Sequence, residues 1–243
     1  MVAQLKLNRL LKFVHLHQEF QSKYSIEPAL SQALRQEALR VRHQVYCTEL
    51  NWEEENQYEQ EVDSYDAQSL HCLLRDQQTG DCIGCVRIIY PLSEYEGKNL
   101  PFMLACGRKL KENHPNVAIP FAEVSRLAIL KEYRKSASNV RELNCPLMVT
   151  SLYLGVLHLA RRSDIEHLYI LAAPALILQL KLLGARVEQI GDPIDCNGLR
   201  APYVIRVSLI IQDMHIYLRP IFQAIAEQID QAFSQQPSAV SLH

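Results

Sequence analysis

The sequence predicts an α/β sandwich around a mixed sheet, and three observations point there. Apolar residues fill 48% of the 243 positions, enough for one sizeable core. Their spacing switches repeatedly between helical and strand-like periods along the chain. No internal repeat and no linker rich in Pro, Gly and Ser divides the chain. These features give a single domain over residues 1–233 with helical additions at both ends, and a polar, disordered tail over 234–243.

Leu34, Ala38, Val41 and Val45 recur at helical spacing, so Glu27 to Glu49 reads as an amphipathic helix. Trp52 to Gln68 is acidic and irregular. Leu70 to Arg75 and Cys82 to Tyr90 are short β-like runs around a Thr79-Gly80 turn, which makes a hairpin. Pro91 to Pro120 reads as a loop carrying one helix, and Phe121 to Leu130 as a strand. Cys145 to Arg161 is apolar nearly all round and predicts a buried helix. His167 to Ala172 is a strand, after which Pro174 opens a helix that Gly184 closes. Arg186 to Ile190 and Tyr203 to Ile211 read as two final strands with an Asn197-Gly198 turn between them. Ile221, Phe222, Ile225, Ile229 and Phe233 mark a C-terminal amphipathic helix.

Composition excludes several classes. A net charge of −2 argues against nucleic acid as a partner. The N-terminus threads Lys6, Arg9 and Lys12 through its leucines and lacks the uninterrupted apolar run of a secretory signal. The longest apolar stretch, Ala172 to Leu183, is broken by Gln179 and Lys181 and is too short to span a bilayer. Seven cysteines without regular spacing read as reduced thiols, which points to a soluble, cytoplasmic protein. Cys82 and Cys85 form a CxxC, but no second pair completes four convergent ligands, so no metal is expected. Leu5, Leu7, Leu10, Leu11 and Val14 either pack on the core or touch a membrane surface peripherally.

Three clusters carry chemistry. Arg42, Tyr46 and Glu49 share a helix face and are followed by Trp52; a surface ion pair beside a core aromatic would leave the same pattern. Glu61, Asp63 and Asp66 concentrate carboxylates that suit an amine or cationic substrate, though a solvated loop would look alike. In the segment Glu123 to Ile129, Glu123 and Ser125 should face one side of a strand, with Val124 and Arg126 on the other. Charges in such a strand, like Arg87 in the preceding one, are costly unless paired or used. They imply either a polar cleft lined by the sheet or an internal ion-pair network.

Taken in order, these pieces resemble the signature of the acyl-homoserine-lactone autoinducer synthases. The matching pieces are Arg42-x-x-x-Tyr46, Trp52, Glu61-x-Asp63-x-x-Asp66, Gly84-x-x-Arg87 and Glu123-x-Ser125-Arg126. The related N-acyl amino acid synthases and exosortase (PEP-CTERM) system-associated acyltransferases resemble the chain further. They do so at Val45-Tyr46-Cys47-x-Glu49, Asp66-Ala67-Gln68-Ser69-Leu70-His71 and Gly198-Leu199-Arg200-Ala201-Pro202-Tyr203. The resemblance spans roughly residues 30 to 210. It implies the GNAT fold, an α/β/α sandwich with a central mixed, mostly antiparallel sheet.

It also implies an acyltransferase that moves a long-chain fatty acyl group from acyl carrier protein, or from acyl-CoA, to the amine of an amino acid or similar small acceptor. No cofactor would be bound permanently, the acyl-phosphopantetheine thioester being a co-substrate. Glu123 would be the base, Arg126 and Arg87 its counterweights, and Ser125 a positioning group for the thioester. Asp63, Asp66 and Glu61 would shape the amine pocket, with Arg42, Tyr46 and Trp52 closing a wall. Lys131 to Asn139 lacks the glycines of a phosphate-binding loop, which favours a carrier protein over free coenzyme A. Arg134, Lys135, Arg141, Arg161 and Arg162 are the candidate basic surface for that acidic partner. Two other readings stay open: a lactone signal synthase using S-adenosylmethionine, and a non-catalytic module that binds an acyl ligand.

Overall fold

Tyr24, Ile26 and Pro28 are buried while Ser25 and Glu27 are half-buried, and this period-two stretch forms the edge strand β1 (Tyr24–Pro28). The computed structural model describes residues 16–91, 100–112, 114–116, 118–135, 144–182 and 184–236. Residues 16–23 are helical (α1) and lead directly into β1. The helix expected from Glu27 therefore starts later. Ser31 caps it by accepting from the Leu34 N–H, and α2 runs Gln32–His43. It continues as a wider π-helical segment, Gln44–Glu49.

The predicted hairpin is present as β2 (Ser69–Asp76) and β3 (Cys82–Ile89). After it come α3 (Pro101–Cys106), β4 (Phe121–Ile129), the short α4 (Lys131–Lys135) and the long α5 (Asn144–Arg162). The chain ends with β5 (His167–Ala172), α6 (Pro174–Leu182), β6 (Val187–Gln189), β7 (Ile194–Asp195), β8 (Leu199–Arg206), α7 (Val207–Asp213) and α8 (Arg219–Gln235).

Toward the C-terminus the structure differs from the sequence reading at three further places. The final strand stops at Arg206, and Val207 to Ile211 continue as α7, because a short all-apolar run fits either period. The two-residue β7 pairs with the start of β8 across Asn197-Gly198, whose φ values of +51° and +95° are those of a tight hairpin turn. Ser234 and Gln235, assigned to the tail, belong to α8. Residues 1–15 and 237–243, which hold the N-terminal apolar residues and the rest of the tail, lie outside the described residues.

The sheet order is β1-β2-β3-β4-β5-β8-β6, antiparallel throughout except for the β4–β5 pair. That pair is joined by α5, the crossover helix that parallel neighbours require. One face of the sheet packs Ile88, Val124 and Ile170 against α5 and α8. The other packs Leu73, Cys85 and Ala128 under α2, and Ile89, Phe121 and Tyr169 under Phe102 of α3. No helix among the described residues is long and apolar enough to cross a membrane.

Candidate functional site

Strand β4 is irregular where it matters. Cys85 of β3 faces Ala128 and Arg87 faces Ser125, so Val86 alone opposes both Arg126 and Leu127. This is a β-bulge, and Arg126 takes φ = +52° within it. That conformation costs a non-glycine residue about 1–2 kcal/mol, so contacts must hold it. The bulge also breaks the expected alternation. Arg126 was placed opposite Glu123 and Ser125; instead its guanidinium reaches the acidic loop that Arg87, the partner of Ser125, also reaches. On the other side, β4 pairs with β5 only from Phe121 to Val124. Beyond Val124 the two strands diverge, and the β5-facing edge of β4 has no strand partner among the described residues.

The three clusters read from the sequence converge here. Arg42 is fully buried on α2 and is no surface ion pair. Its Nε donates to Glu61 at 2.5 Å, and Nη1 and Nη2 donate to the two Asp66 oxygens at 2.5 and 3.2 Å. Arg87, equally buried, donates to Asp63 at 2.6 Å, to Asp66 at 2.8 Å and to the Ser125 hydroxyl at 3.1 Å. Arg126 donates to Glu61 through Nε and Nη2 and lies 3.4 Å from both Asp63 and Glu53. Three guanidinium groups thus meet Glu61, Asp63 and Asp66, and their desolvation is offset only while every partner is present.

Burial alone would push the Asp66 carboxyl up, but the hydrogen bond and charge of Arg42 outweigh it and hold the group at about 2. Glu61 and Asp63 are lowered in the same way, against burial, by Arg42 and Arg87 respectively. His71 completes the cluster, its Nε2 lying 3.0 Å from Arg42 Nη1. A guanidinium can only donate, so this nitrogen accepts and the proton sits on Nδ1. Burial, reinforced by the Arg42 charge, takes His71 down to about 3 and keeps it neutral.

Glu123 stands apart from this network. It is 2% exposed, and its carboxyl accepts the Phe102 N–H at 3.1 Å with no guanidinium partner among the described residues. Burial raises it to about 8, against the Phe102 hydrogen bond and the more distant charges of Arg87 and Arg126. A carboxyl group raised this close to physiological pH can take up and return a proton.

Glu123, Ser125 and Arg126 line a cleft of about 370 Å³ between β4, the end of β5 and the Gln44–Glu49 turn. One wall is a ladder of rings and cations. Arg126 lies 5.7 Å from the Tyr46 ring, Tyr46 stacks on Trp52 at 5.9 Å, and Arg200 lies 5.3 Å from the Trp52 ring. The Tyr46 hydroxyl donates to the Leu127 carbonyl at 2.7 Å, which pins the bulge. The opposite wall is apolar, with Val149, Tyr153, Ile170, Leu171 and Leu176. Tyr153 also borders a smaller cavity of about 50 Å³ under α5, lined by Leu154, Leu157, Leu168, Ile205 and Met214 among others.

His71, Phe102, Tyr153 and Arg200 were not singled out as site residues from the sequence. For His71 and Arg200 the signal existed, a polar residue at the edge of an apolar strand. Phe102 acts through its backbone and leaves no residue-type trace.

Among the described residues, the candidate docking arginines divide between two regions. Arg134 lines the cleft and pairs with Glu49. Arg161 and Arg162 end α5, and Arg162 pairs with Asp230. The crossover carries α5 from the carboxyl end of β4 to the amino end of β5, so these two lie roughly a helix length away from Arg134. Lys135 ends α4, and Arg141 lies outside the described residues. Cys82 and Cys85 are free thiols raised by burial, and among the described residues no His, Cys, Asp or Glu cluster could hold a metal.

Residues 41–142 match the acetyltransferase (GNAT) domain family. The chain is 26% identical over 154 residues to an acyl-homoserine-lactone synthase of Vibrio anguillarum, covering 63% of this chain and 75% of that one. It is 26% identical over 167 residues to the same kind of enzyme from Aeromonas salmonicida, covering 68% and 75%. Among solved structures, the AHL synthase LasI superposes with a TM-score of 0.56 at 20% identity, over 76% of this chain and 89% of that one. The N-acyl amino acid synthase FeeM from uncultured soil microbes gives 0.54 at 15% identity, over 79% and 94%. The family match and these relatives agree: residues 41–142 form a GNAT-type acetyltransferase domain, and the chain is homologous to the acyl-homoserine-lactone synthases, which are acyltransferases.

Proposed function

We propose that this acyltransferase moves a long-chain fatty acyl group from the phosphopantetheine thioester of acyl carrier protein onto the amine of an amino acid. The observation that carries the reading is Glu123. It is a buried carboxyl without an ion-pair partner among the described residues, in a cleft that is charged on one wall and apolar on the other.

In this mechanism the acceptor amine attacks the thioester carbonyl, a C–N bond forms and the C–S bond breaks. Glu123 takes the proton released by the amine, directly or through a water, and a proton returns to the departing thiolate. The unpaired edge of β4 beyond Val124 offers backbone N–H groups to the oxyanion. The Ser125 hydroxyl, held by Arg87, positions the thioester, and no acyl-enzyme is formed. The Arg42–Arg87–Arg126 network fixes the loop bearing Glu61, Asp63 and Asp66 beside the amine. The acyl chain runs along Val149 and Tyr153 toward the cavity under α5. A carrier protein approaching the α4 end of the cleft would meet Arg134 first.

A second reading has its own support, since the curated relatives are acyl-homoserine-lactone synthases. It predicts lactone product and consumption of S-adenosylmethionine. Mass spectrometry of lipid extracts from a bacterial host, with wild type and Glu123→Gln, tests both readings. N-acyl amino acids that vanish in the variant support the proposal, and acyl lactones in their place overturn it. Purified acyl carrier protein and acyl-CoA supplied separately decide the donor.

A further inference from the structure

Every arginine lining the cleft except one is neutralised. Arg126 is held by Glu61, Glu53 and Asp63, and Arg134 by Glu49. Arg200 meets no carboxylate among the described residues. Its Nε donates to the Cys196 carbonyl at 2.7 Å, and its guanidinium lies over the Trp52 ring. These two contacts fix the guanidinium plane and leave Nη1 and Nη2 without a hydrogen-bond acceptor among the described residues. A guanidinium stacked on an aromatic ring still presents its N–H edge in-plane, the geometry that grips a carboxylate with two parallel bonds.

The position is set by the fold. Ala172, the last residue of β5, pairs with Ala201, so Arg200 sits one residue beyond the carboxyl end of β5. This is the end at which β4 and β5 part. The Asn197-Gly198 turn and the β7 pairing of Arg200 with Ile194 hold that corner of the cleft. Trp52 is 37% exposed, with Tyr46 stacked on it at 5.9 Å and Arg200 over its ring at 5.3 Å.

We propose that Arg200 receives the carboxylate of the acceptor and makes the enzyme selective for α-amino acids over uncharged amines. The assignment rests on the amino acid synthase reading above. An acceptor whose carboxylate is bound at Arg200 turns its amine into the cleft that Glu123 lines, so one cation selects the substrate class and orients the nucleophile.

The test compares glycine with glycinamide, leucine with leucinamide, and tyrosine with tyrosinamide, using acyl carrier protein charged with palmitate. Wild type, Arg200→Gln and Arg200→Lys are assayed, and unchanged melting temperatures show that the variants fold. Comparing acid-to-amide ratios between enzymes cancels the different basicities of the two amines. Arg200→Gln should raise KM for the amino acid about 10- to 100-fold and leave the carboxamide within about twofold. Arg200→Lys, with charge but no fork, should fall between. The assignment is overturned if Arg200→Gln keeps the wild-type preference for the acid. It is also overturned if KM rises for the acyl donor alone, because Arg200 then meets a donor phosphate. A wild type that acylates no member of the panel and consumes S-adenosylmethionine instead defeats the synthase reading itself, and the assignment with it.

Discussion

Glu123 and Asp66 show how neighbouring carboxyl groups are set apart by their surroundings. Asp66 shares two arginines and stays ionised; Glu123 has burial and a single backbone donor. If Glu123 is the base, kcat/KM expressed per unprotonated amine should rise about tenfold per pH unit below about 8 and level above it. Glu123→Gln should remove that slope and lower kcat by about 10²- to 10⁴-fold. The same residue ties folding to pH. Its pKa is raised from 4.5 to about 8, so its stabilising contribution is complete below 4.5 and lost as pH rises through about 8. Melting temperature should therefore decline less across that window in Glu123→Gln than in the wild type. The arginine network runs the other way: Asp66, held at about 2, stabilises at neutral pH and stops doing so as pH falls through that value. Arg42→Gln strands buried carboxylates and should cost about 3–5 kcal/mol in denaturant melts.

At the scale of elements, the bulge in β4 depends on its neighbour across the ladder. Gly84 of β3 pairs with Ile129, and a Cβ there would lie 2.9 Å from the Ala128 carbonyl and 3.2 Å from Ile129 Cγ1. Gly84→Ala must push β4 outward, with an expected cost of about 1–3 kcal/mol. Urea titration gives the stability, and loss of turnover beyond the unfolded fraction would mark displacement of the bulge. The hairpin, the buried helix α5 and strand β5 were legible because each has its own period and its own turn or proline signal. The bulge was not. Its φ = +52° falls on an arginine, where the sequence carries no glycine to announce it. The charges in Glu123-x-Ser125-Arg126 pointed to a polar cleft or an internal ion-pair network, but strict alternation put Arg126 on the wrong face. β1 was hidden for a similar reason, since five residues ahead of a capped helix share their apolar residues with its pattern.

On the scale of the whole molecule, β5, β8 and α5 through α7 enclose the apolar cavity, while α2, β3 and β4 carry the arginines. Chain length and head-group chemistry should then be separable. Leu154→Phe, which fills part of the cavity of about 50 Å³, should shift products toward shorter acyl chains by mass spectrometry while KM for the amine stays within about twofold. What the sequence could not disclose is which pieces meet: Arg42, Arg87 and Arg126 lie on different elements, and the topology alone brings them to one loop.

That loop has a further property. Between Trp52 and Tyr65 it exposes Tyr58 and Val62 and buries little apolar surface, so it is fastened by arginines from α2, β3 and β4. A segment held in this way can detach while the hydrophobic core stays shut. Brief digestion of Arg42→Gln with a glutamate-specific protease should nick the chain within Glu53–Glu61 long before the core strands are cut, whereas the wild type under the same digestion stays whole.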